Sequence, residues 1–205
     1  MSSRRTGILI VAVFLVGLVT GLLIGGSLSS TLSSSPSTTT TRTLQVTVAG
    51  LTTIQIPSLD ILSVCFSPGG SCANQVVYWI GRANSSIHIL MYSFTLDSIG
   101  NALIQAKQRK PNLDIRIVWD ESGLEDAGSE YLKLLSAGFQ MHVDHRSGLL
   151  HDKFAIIDGH IVLTGSFNWT NSANDTNREN LLVLDNPPIA SAYEKNFQQN
   201  WQTTT

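Results

Sequence analysis

The stretch from His151 to Asn168 decides the fold that we predict for this chain of 205 residues. It reads His151-Asp152-Lys153-Phe154-Ala155-Ile156-Ile157-Asp158-Gly159-His160-Ile161-Val162-Leu163-Thr164-Gly165-Ser166-Phe167-Asn168. The pair Asp158-Gly159 between two apolar runs is a strong signal for a two-residue hairpin turn. The stretch therefore predicts a β-hairpin with two apolar arms.

The two arms of this hairpin carry polar side chains that suit a phosphate. His151 and Lys153 are two residues apart, so both side chains would leave the same face of a strand. The return strand, Ile161 to Asn168, would place Thr164, Ser166 and Asn168 on one face. An imidazole, an ammonium, a hydroxyl and a carboxamide fit phosphoryl transfer, where a protein mainly positions groups and neutralises charge.

The spacing H-x-K-x4-D-x6-G-S-x-N resembles the HKD motif of the phospholipase D superfamily. Its fixed positions are filled by His151, Lys153, Asp158, Gly165, Ser166 and Asn168. The resemblance extends back to about Cys65 and forward through Asn177-Arg178-Glu179-Asn180. The chain is similar to the small single-motif members, namely bacterial nonspecific endonucleases and the mitochondrial cardiolipin hydrolase or Zucchini type.

The resemblance implies phosphodiester hydrolysis by double displacement. His151 would attack phosphorus to form a phosphohistidine, and a second histidine would protonate the leaving oxygen and then activate water. Lys153, Asn168 and Ser166 would hold the non-bridging oxygens. Glu179 matches the acidic residue that orients the motif histidine in the resembling nucleases. This chemistry needs no cofactor and no metal.

The second histidine must come from another copy of the motif. The chain contains five histidines, and His151 alone has the H-x-K context. A homodimer with two His151 side chains facing each other across a twofold axis would complete the site. The single-motif members of the family are similar in this respect.

Two motif positions have structural interpretations. Asp158 has the opposite parity to His151, and aspartate is expected at the first position of an Asp-Gly turn, so we predict a structural role for Asp158. Gly165 is predicted to allow a close approach of backbone beside the site.

The front of the chain predicts a membrane anchor. Residues 8–24 contain no charge, and about 20 such residues span a bilayer. We assign residues 1–28 to a transmembrane helix, with a cleaved signal peptide and a secreted protein as the alternative. Arg4 and Arg5 precede the apolar run, so the N-terminus would be cytoplasmic and the rest extracytoplasmic.

A stalk and one catalytic domain would follow the anchor. Residues 29–43 are nearly all Ser and Thr and cannot bury a core. The domain, residues 44–205, has ten basic and 15 acidic residues, a formal charge of −5. This charge is unfavourable for tight binding of duplex nucleic acid. The anchor and the charge favour a phospholipid substrate, whereas the single-motif resemblance favours nucleic acid. We expect a nonspecific endonuclease, with a phospholipase D or cardiolipin-type phospholipid hydrolase as the alternative and a non-enzymatic surface binding module as the least favoured interpretation.

The cysteines and the other histidines suggest two further sites. Cys65 and Cys72 flank turn-forming residues, and outside the cytoplasm they would form a small disulfide loop, with two free thiols as the alternative. The rival interpretation of a metal hydrolase would use a set of residues close together in sequence, namely His142, Asp144, His145, His151 and Asp152. We disfavour this interpretation because His142 and His145 would face opposite ways on a strand.

Apolar periodicity predicts an α/β fold. Strands are expected over 61–66, 87–94, 113–119, 139–143 and 181–184 in addition to the hairpin, and 44–56 is a first strand or a lead-in. Helices are expected over 74–82, 97–109, 129–137 and 189–201. Strands that alternate with helices predict a central mixed sheet with helices on both faces, which agrees with the α-β-α sandwich implied by the resemblance.

Overall fold

A computed structural model describes residues 44–46, 54–56 and 60–205. The chain divides into two compact units, Met1–Ser58 and Leu59–Thr205. In the first unit, strands β1 (Leu44–Val46) and β2 (Ile54–Ile56) pair antiparallel.

The predicted anchor and stalk, residues 1–43, lie outside the described residues. No helix in the part of the chain that the structure describes has the length and apolar character needed to cross a bilayer.

The second unit contains a seven-stranded sheet and helices on both of its faces. The strands are β3 (Asp60–Ser67), β4 (Ser86–Met91), β5 (Asp114–Asp120), β6 (Gln140–Asp144), β7 (Lys153–Ile157), β8 (Ile161–Gly165) and β9 (Glu179–Asp185). The helices are α1 (Cys72–Ile80), α2 (Asp97–Arg109), α3 (Tyr131–Ser136), α4 (Asn171–Asp175) and α5 (Pro187–Thr203), with a 3₁₀ turn over Glu121–Leu124.

The sheet is mixed, in the order β3-β9-β8-β7-β4-β5-β6. Strands β4, β5 and β6 run parallel to one another, because α2 and α3 supply the crossovers that parallel neighbours require. All other neighbours pair antiparallel. The predicted α/β fold with a central mixed sheet is confirmed.

Two apolar layers separate the sheet from its helices. Helices α1, α2 and α3 pack on one face, around buried Phe94, Trp119 and Trp169. Helix α5 packs on the other face, where Phe197 meets Leu90 of the central strand β4. Because β4 is covered on both sides, its residues are apolar on nearly both faces. This is the α-β-α sandwich that was expected.

The hairpin turn forms where the sequence predicts it. Asp158 and Gly159 both have positive φ, 54° and 72°. Ile157 pairs with Ile161, so three residues, 158–160, separate the strands, one more than the predicted two-residue turn. Two consecutive left-handed residues are the signature of the type I′ turn, whose twist matches that of the two strands.

The two arms are shorter than predicted. Strand β7 begins at Lys153, so His151 lies in the loop before the strand, and β8 ends at Gly165 rather than Asn168. The chain leaves the sheet here because the Trp169 side chain is buried in the core. The backbone N–H of Trp169 donates to the Ser93 carbonyl at 3.2 Å.

Thr164 does not share the face that we predicted for it. It pairs with Phe154 on the α5 side of the sheet, where the Tyr193 hydroxyl donates to Thr164 Oγ1 at 3.1 Å. Lys153 has the opposite parity on β7, so the alternation of the strands separates it from Thr164.

Candidate active site

The loop that carries His151 is held by a buried carboxylate. Asp120, at the end of β5, is 3% exposed, and its Oδ2 accepts a hydrogen bond from the Leu150 N–H at 2.6 Å. Its Oδ1 accepts the Ser122 N–H at 3.0 Å. Asp120 therefore fixes the backbone that immediately precedes His151. These contacts are those of a buried carboxylate that is hydrogen-bonded to backbone.

Tyr92 joins His151 to Lys153. The tyrosine and imidazole rings meet edge to face with centroids 4.8 Å apart, and Lys153 Nζ lies 4.9 Å from the centre of the same tyrosine ring. Lys153 Nζ also donates to the His151 carbonyl at 2.7 Å. The imidazole is exposed, whereas Lys153 is 8% exposed. The structure thus holds a solvent-accessible imidazole beside a largely buried ammonium.

Burial sets the ionisation of Lys153. Desolvation lowers the pKa of its ammonium below the ordinary value, and the carboxylates of Asp152, Glu179 and Asp120 offset only part of this effect. An anion bound next to Lys153 would replace the lost hydration. The site is therefore prepared for a negatively charged ligand.

Ser166 and Glu179 form a hydrogen-bonded pair beside the hairpin. The Ser166 hydroxyl donates to Glu179 Oε2 at 2.5 Å and accepts the Asn180 N–H at 3.1 Å. Asn177 Nδ2 donates to the other carboxylate oxygen at 3.2 Å. The proton of Ser166 is therefore directed at Glu179 in this arrangement.

The contact between Glu179 and His151 that the resemblance implied is not present among the described residues. Glu179 is the first residue of β9. Its carboxylate lies next to the segment that follows β8 and accepts a hydrogen bond from Ser166. His151 contacts the Tyr92 ring instead. The orienting role of Glu179 stays a prediction.

Gly165 lies where two strands approach closely. A Cβ atom built on Gly165 would stand 2.1 Å from the Asn180 carbonyl oxygen. A side chain at this position would push β8 and β9 apart. The geometry is the close backbone approach that the sequence predicted for Gly165.

Asn168 lies in a segment that is hydrogen-bonded to the residues following β4. The N–H groups of Thr95 and Leu96 donate to the carbonyl of the next residue, Trp169, at 2.8 and 2.9 Å. The side-chain oxygen of Asn168 is buried and has no hydrogen-bond partner among the described residues. This atom is an acceptor, whereas a contact with a phosphate oxygen would come from the amide N–H groups, so the role of Asn168 stays a prediction.

Asp158 lies at the far end of β7 and holds a neighbouring loop. Its carboxylate accepts the N–H groups of Asn84, Ser85 and Ser86 at 2.9, 2.7 and 3.1 Å, and the Ser85 hydroxyl at 2.9 Å. Burial by itself would raise the pKa of Asp158, but these donors hold it below the ordinary value. These contacts give Asp158 a structural role.

The residues of the rival metal site are engaged elsewhere. The His142 ring stacks on Trp201 with centroids 3.7 Å apart, and His145 Nδ1 lies 2.9 Å from Glu121 Oε1. Within residues 60–205, the structure contains no group of three His, Cys, Asp or Glu side chains that could hold a metal ion.

A disulfide joins Cys65 of β3 to Cys72 of α1, with Cα atoms 5.6 Å apart. It ties an edge strand of the sheet to the first helix of the unit. The turn-forming residues between the two cysteines bring them together.

Sequence reasoning missed Tyr92. Its only signal in the sequence was its position directly after the buried run of β4. A residue at the carboxyl end of an interior strand lies at that end of the sheet. The contact with both His151 and Lys153 depends on the β4–β7 pairing, in which Met91 lies opposite Lys153.

Known proteins resemble this chain in sequence and in structure. A family model described as "Cardiolipin synthase, PLD-like domain" matches residues 76–201. The chain is 36% identical over 132 residues to mitochondrial cardiolipin hydrolase of Xenopus tropicalis, a match that covers 64% of this chain and 62% of that protein. It is 35% identical over 140 residues to a phospholipase D of Rickettsia prowazekii, covering 68% of this chain and 65% of that protein.

A solved structure extends the likeness to three dimensions. Nuc from Salmonella typhimurium, a phospholipase D family member, superposes with a TM-score of 0.67 at 34% identity, covering 72% of this chain and 97% of Nuc. The chain spans less than two thirds of the length of the Xenopus tropicalis and Rickettsia relatives. The family model nevertheless covers more than half of this chain, including the whole stretch from His151 to Glu179. The protein therefore belongs to the phospholipase D superfamily.

Proposed function

We propose that this protein hydrolyses phosphodiester bonds through a covalent phosphohistidine on His151. Phospholipase D-like hydrolases are phosphodiesterases, and the motif of this chain is complete. One observation carries the proposal: an exposed imidazole lies beside the buried ammonium of Lys153, and both contact the ring of Tyr92.

The reaction proceeds in two displacements. An imidazole nitrogen of His151 forms a bond to phosphorus while the bond to the leaving oxygen breaks, and a second imidazolium gives that oxygen its proton. Water then attacks the phosphohistidine, transfers its proton to the second imidazole and frees His151. Lys153 balances the charge on the non-bridging oxygens, and Asn168 and Ser166 contribute hydrogen bonds.

The second imidazole belongs to another copy of the chain. The chain has five histidines, and His151 is the one with the H-x-K context, so the second motif histidine would come from a second chain. A homodimer with a shared site supplies both the nucleophile and the acid.

A phospholipid is our first choice of substrate. Residues 44–205 carry a formal charge of −5, which opposes the binding of a polyanion over many phosphates. Two relatives, 36% and 35% identical to this chain, are named mitochondrial cardiolipin hydrolase and phospholipase D. An anchor over residues 1–28 would place the domain at an outer membrane surface, within reach of lipid head groups.

Nucleic acid is the second candidate, and the protein would then be a nonspecific endonuclease on the outer face of the membrane. The observation that favours it is Arg178, an exposed cation directly before Glu179 at the site. A flexible single strand could present one phosphate to His151 and a neighbouring phosphate to Arg178.

One experiment tests the chemistry and separates the substrates. The full chain, purified in detergent, is incubated with phosphatidylcholine, cardiolipin, single-stranded DNA or RNA. The reaction is stopped with denaturant at neutral pH, which avoids the acid that cleaves the phosphorus–nitrogen bond of a phosphohistidine and leaves lipid esters and RNA intact. We expect a covalent adduct on the peptide that contains His151, bearing a phosphatidyl group if the substrate is lipid and a nucleotide if it is nucleic acid. Hydrolysis that persists in His151→Asn would overturn the proposal.

A further inference from the structure

A cavity lies at the end of the sheet that is opposite to the candidate active site. It encloses about 470 Å³ between the residues that follow α1, the end of α2 and the β7–β8 turn, and we name it the distal pocket. Strand β7 begins at Lys153 and reaches this pocket at Ile157, a rise of about 13 Å. The distal pocket is therefore separate from the catalytic groups, and its volume is that of a small-molecule site.

Two arginines from different elements line the distal pocket, and both are exposed. Arg82 follows α1, and Arg109 is the last residue of α2. The Arg82 guanidinium lies 4.3 Å from the centre of the Tyr78 ring. Arg109 Nη2 donates to the Ala83 carbonyl at 3.2 Å. Because neither arginine forms an ion pair within the part of the chain that the structure describes, most of their N–H donors are free to bind a ligand.

Two further residues of the lining carry a ring nitrogen without a hydrogen-bond partner. The indole N–H of Trp79 is buried and has no partner among the described residues. The Nδ1 atom of His160 lies 2.9 Å from Asp185 Oδ1, which leaves Nε2. Protonation of the His160 ring would make Nε2 a further donor.

Acceptor groups around the distal pocket are already occupied. The Asp158 carboxylate accepts the N–H groups of residues 84–86 and the Ser85 hydroxyl. The last carbonyl groups of α1 accept the N–H groups of residues 81–83. A ligand that offers acceptors therefore fits this lining better than a ligand that offers donors.

A phosphate group matches the donors that remain. A guanidinium presents a fork of N–H groups that suits phosphate oxygens. A phosphate monoester carries about 1.5 to 2 negative charges at neutral pH, close to the charge of two arginines. Lys110, which donates to the Asn84 side chain beside the pocket, adds a third cation. Residues 44–205 have a formal charge of −5, so this group of cations is a local feature of an acidic domain.

We propose that the distal pocket binds a small organic phosphate. Arg82 and Arg109 would hold the phosphate, and the apolar atoms of Trp79, Ile157 and Ile161 would contact the organic part. A nucleotide and a lipid-derived glycerol phosphate share this chemistry. The proposal does not depend on hydrolysis at His151, because the pocket lies at the other end of β7.

Calorimetric titration of the full chain in detergent tests this site. The probes are AMP, glycerol 3-phosphate, inorganic phosphate and glycerate, a carboxylate that is similar in size to glycerol 3-phosphate. We expect AMP or glycerol 3-phosphate to bind at least about tenfold more tightly than inorganic phosphate and glycerate. The tighter of these two ligands identifies the source of the organic phosphate.

A second set of measurements locates the bound ligand. Each titration is repeated with Lys153→Met, which lacks the ammonium of the candidate active site, and we expect binding to persist. Hydrogen exchange followed by mass spectrometry should then show slower exchange in the peptide that covers residues 81–86. Exchange in the peptide that contains His151 should not change in this variant.

Two substitutions test the arginines. Arg82→Gln with Arg109→Gln should weaken binding at least about tenfold. Lys195→Gln removes an exposed cation from α5, on the other face of the sheet, and should bind as the wild type does. An unchanged thermal midpoint without ligand verifies that each variant is folded. Arg82→Gln alone replaces the double variant if the latter unfolds, because the Arg82 side chain donates no hydrogen bond within the described residues.

Other results would overturn the proposal. Loss of binding in Lys153→Met would assign the ligand to the candidate active site. Affinity that persists without Arg82 and Arg109, or unchanged exchange in residues 81–86, would show that the distal pocket does not hold the phosphate. Equally tight binding of inorganic phosphate or glycerate would exclude an organic phosphate as the ligand class. A protein that binds as expected but cleaves no diester would refute the proposed function alone.

Discussion

His151 is accessible while the groups around it are held rigidly. Its backbone is fixed through the Leu150–Asp120 hydrogen bond, and its ring is supported by Tyr92. An exposed nucleophile on a rigid frame is what covalent catalysis requires, because positioning contributes much of the rate.

Replacing the nucleophile should abolish hydrolysis. We expect His151→Asn to reduce kcat by at least about a thousandfold while the far-UV spectrum and the unfolding midpoint stay unchanged, since the side chain is exposed. Steady-state assays on a soluble diester measure this loss. Residual activity within about tenfold of wild type, which corresponds to about 1.4 kcal/mol of barrier, would contradict the assignment.

Tyr92 should act as a positioning residue through its ring rather than its hydroxyl. Both of its contacts, to the His151 ring and to Lys153 Nζ, are made by the aromatic ring. We expect Tyr92→Leu to lower kcat by about tenfold and Tyr92→Phe to retain nearly full activity. The alkaline limb of the pH–rate profile should also move in Tyr92→Leu, because the pKa of Lys153 depends on the aromatic ring that its ammonium contacts. Equal damage in both variants would point to the hydroxyl instead.

Asp158 should matter for stability and not for the rate. Its pKa is held below the ordinary value in the fold, so its contribution is complete above the pKa of the unfolded chain and is lost as pH falls through the folded value. We expect Asp158→Asn to lower the free energy of unfolding by about 1–3 kcal/mol at neutral pH. The difference should shrink below about pH 4, where the wild-type carboxylate protonates.

Urea unfolding between neutral pH and pH 3 measures this difference. Asparagine tolerates the left-handed conformation at this turn position, so the substitution does not add backbone strain. A large drop in kcat per folded molecule, without a change in stability, would mean that Asp158 participates in the chemistry.

At the scale of the elements, the β8–β9 contact sets the position of Ser166. Gly165 allows the strands to approach, and Ser166 then reaches Glu179 and Asn180. We expect Gly165→Ala to cost about 1–3 kcal/mol of stability and to lower the rate per folded molecule, since the added Cβ must displace the Asn180 carbonyl.

A neighbouring substitution supplies the control for Gly165. Thr164→Ala removes a side chain from the α5 side of the same strand and leaves the Ser166–Glu179 pair in place. It should reduce stability modestly and preserve the rate, as measured by thermal unfolding and by assay of the same preparations. Equal rates in the two variants would show that the β8–β9 spacing does not govern the site.

At the scale of the whole molecule, the site is half of what the proposed mechanism uses. One chain contributes one H-x-K histidine, and a shared site in a dimer would be a single composite site rather than two independent ones. Wild-type and His151→Asn chains mixed in equal amounts under subunit exchange should give roughly one quarter wild-type dimers and activity well below half.

The dependence on the mixing ratio measures this coupling. Activity should follow the square of the wild-type fraction when the exchange is complete. Strict proportionality to the wild-type fraction, or full activity from a demonstrated monomer, would refute the shared site.

The features predicted best are those determined by local chemistry. Helix α2 has the predicted bounds Asp97–Arg109, because a clear apolar stripe is followed closely by Pro111. The Asp158-Gly159 turn forms because positive φ at two successive positions suits these residues. Short elements such as α4 were missed, since five residues carry too little periodicity to be recognised.

The sequence by itself determined the α/β class, the hairpin, the motif and its family, because these depend on local spacing and residue type. Tertiary structure decided which groups meet. The β4–β7 pairing places Tyr92 beside His151 and Lys153. The β8–β9 contact places Glu179 beside Ser166. The position of β3 at an edge of the sheet leaves Val64 and Phe66 exposed. Such contacts join residues far apart in the chain, and they depend on strand order and packing, which local patterns do not encode.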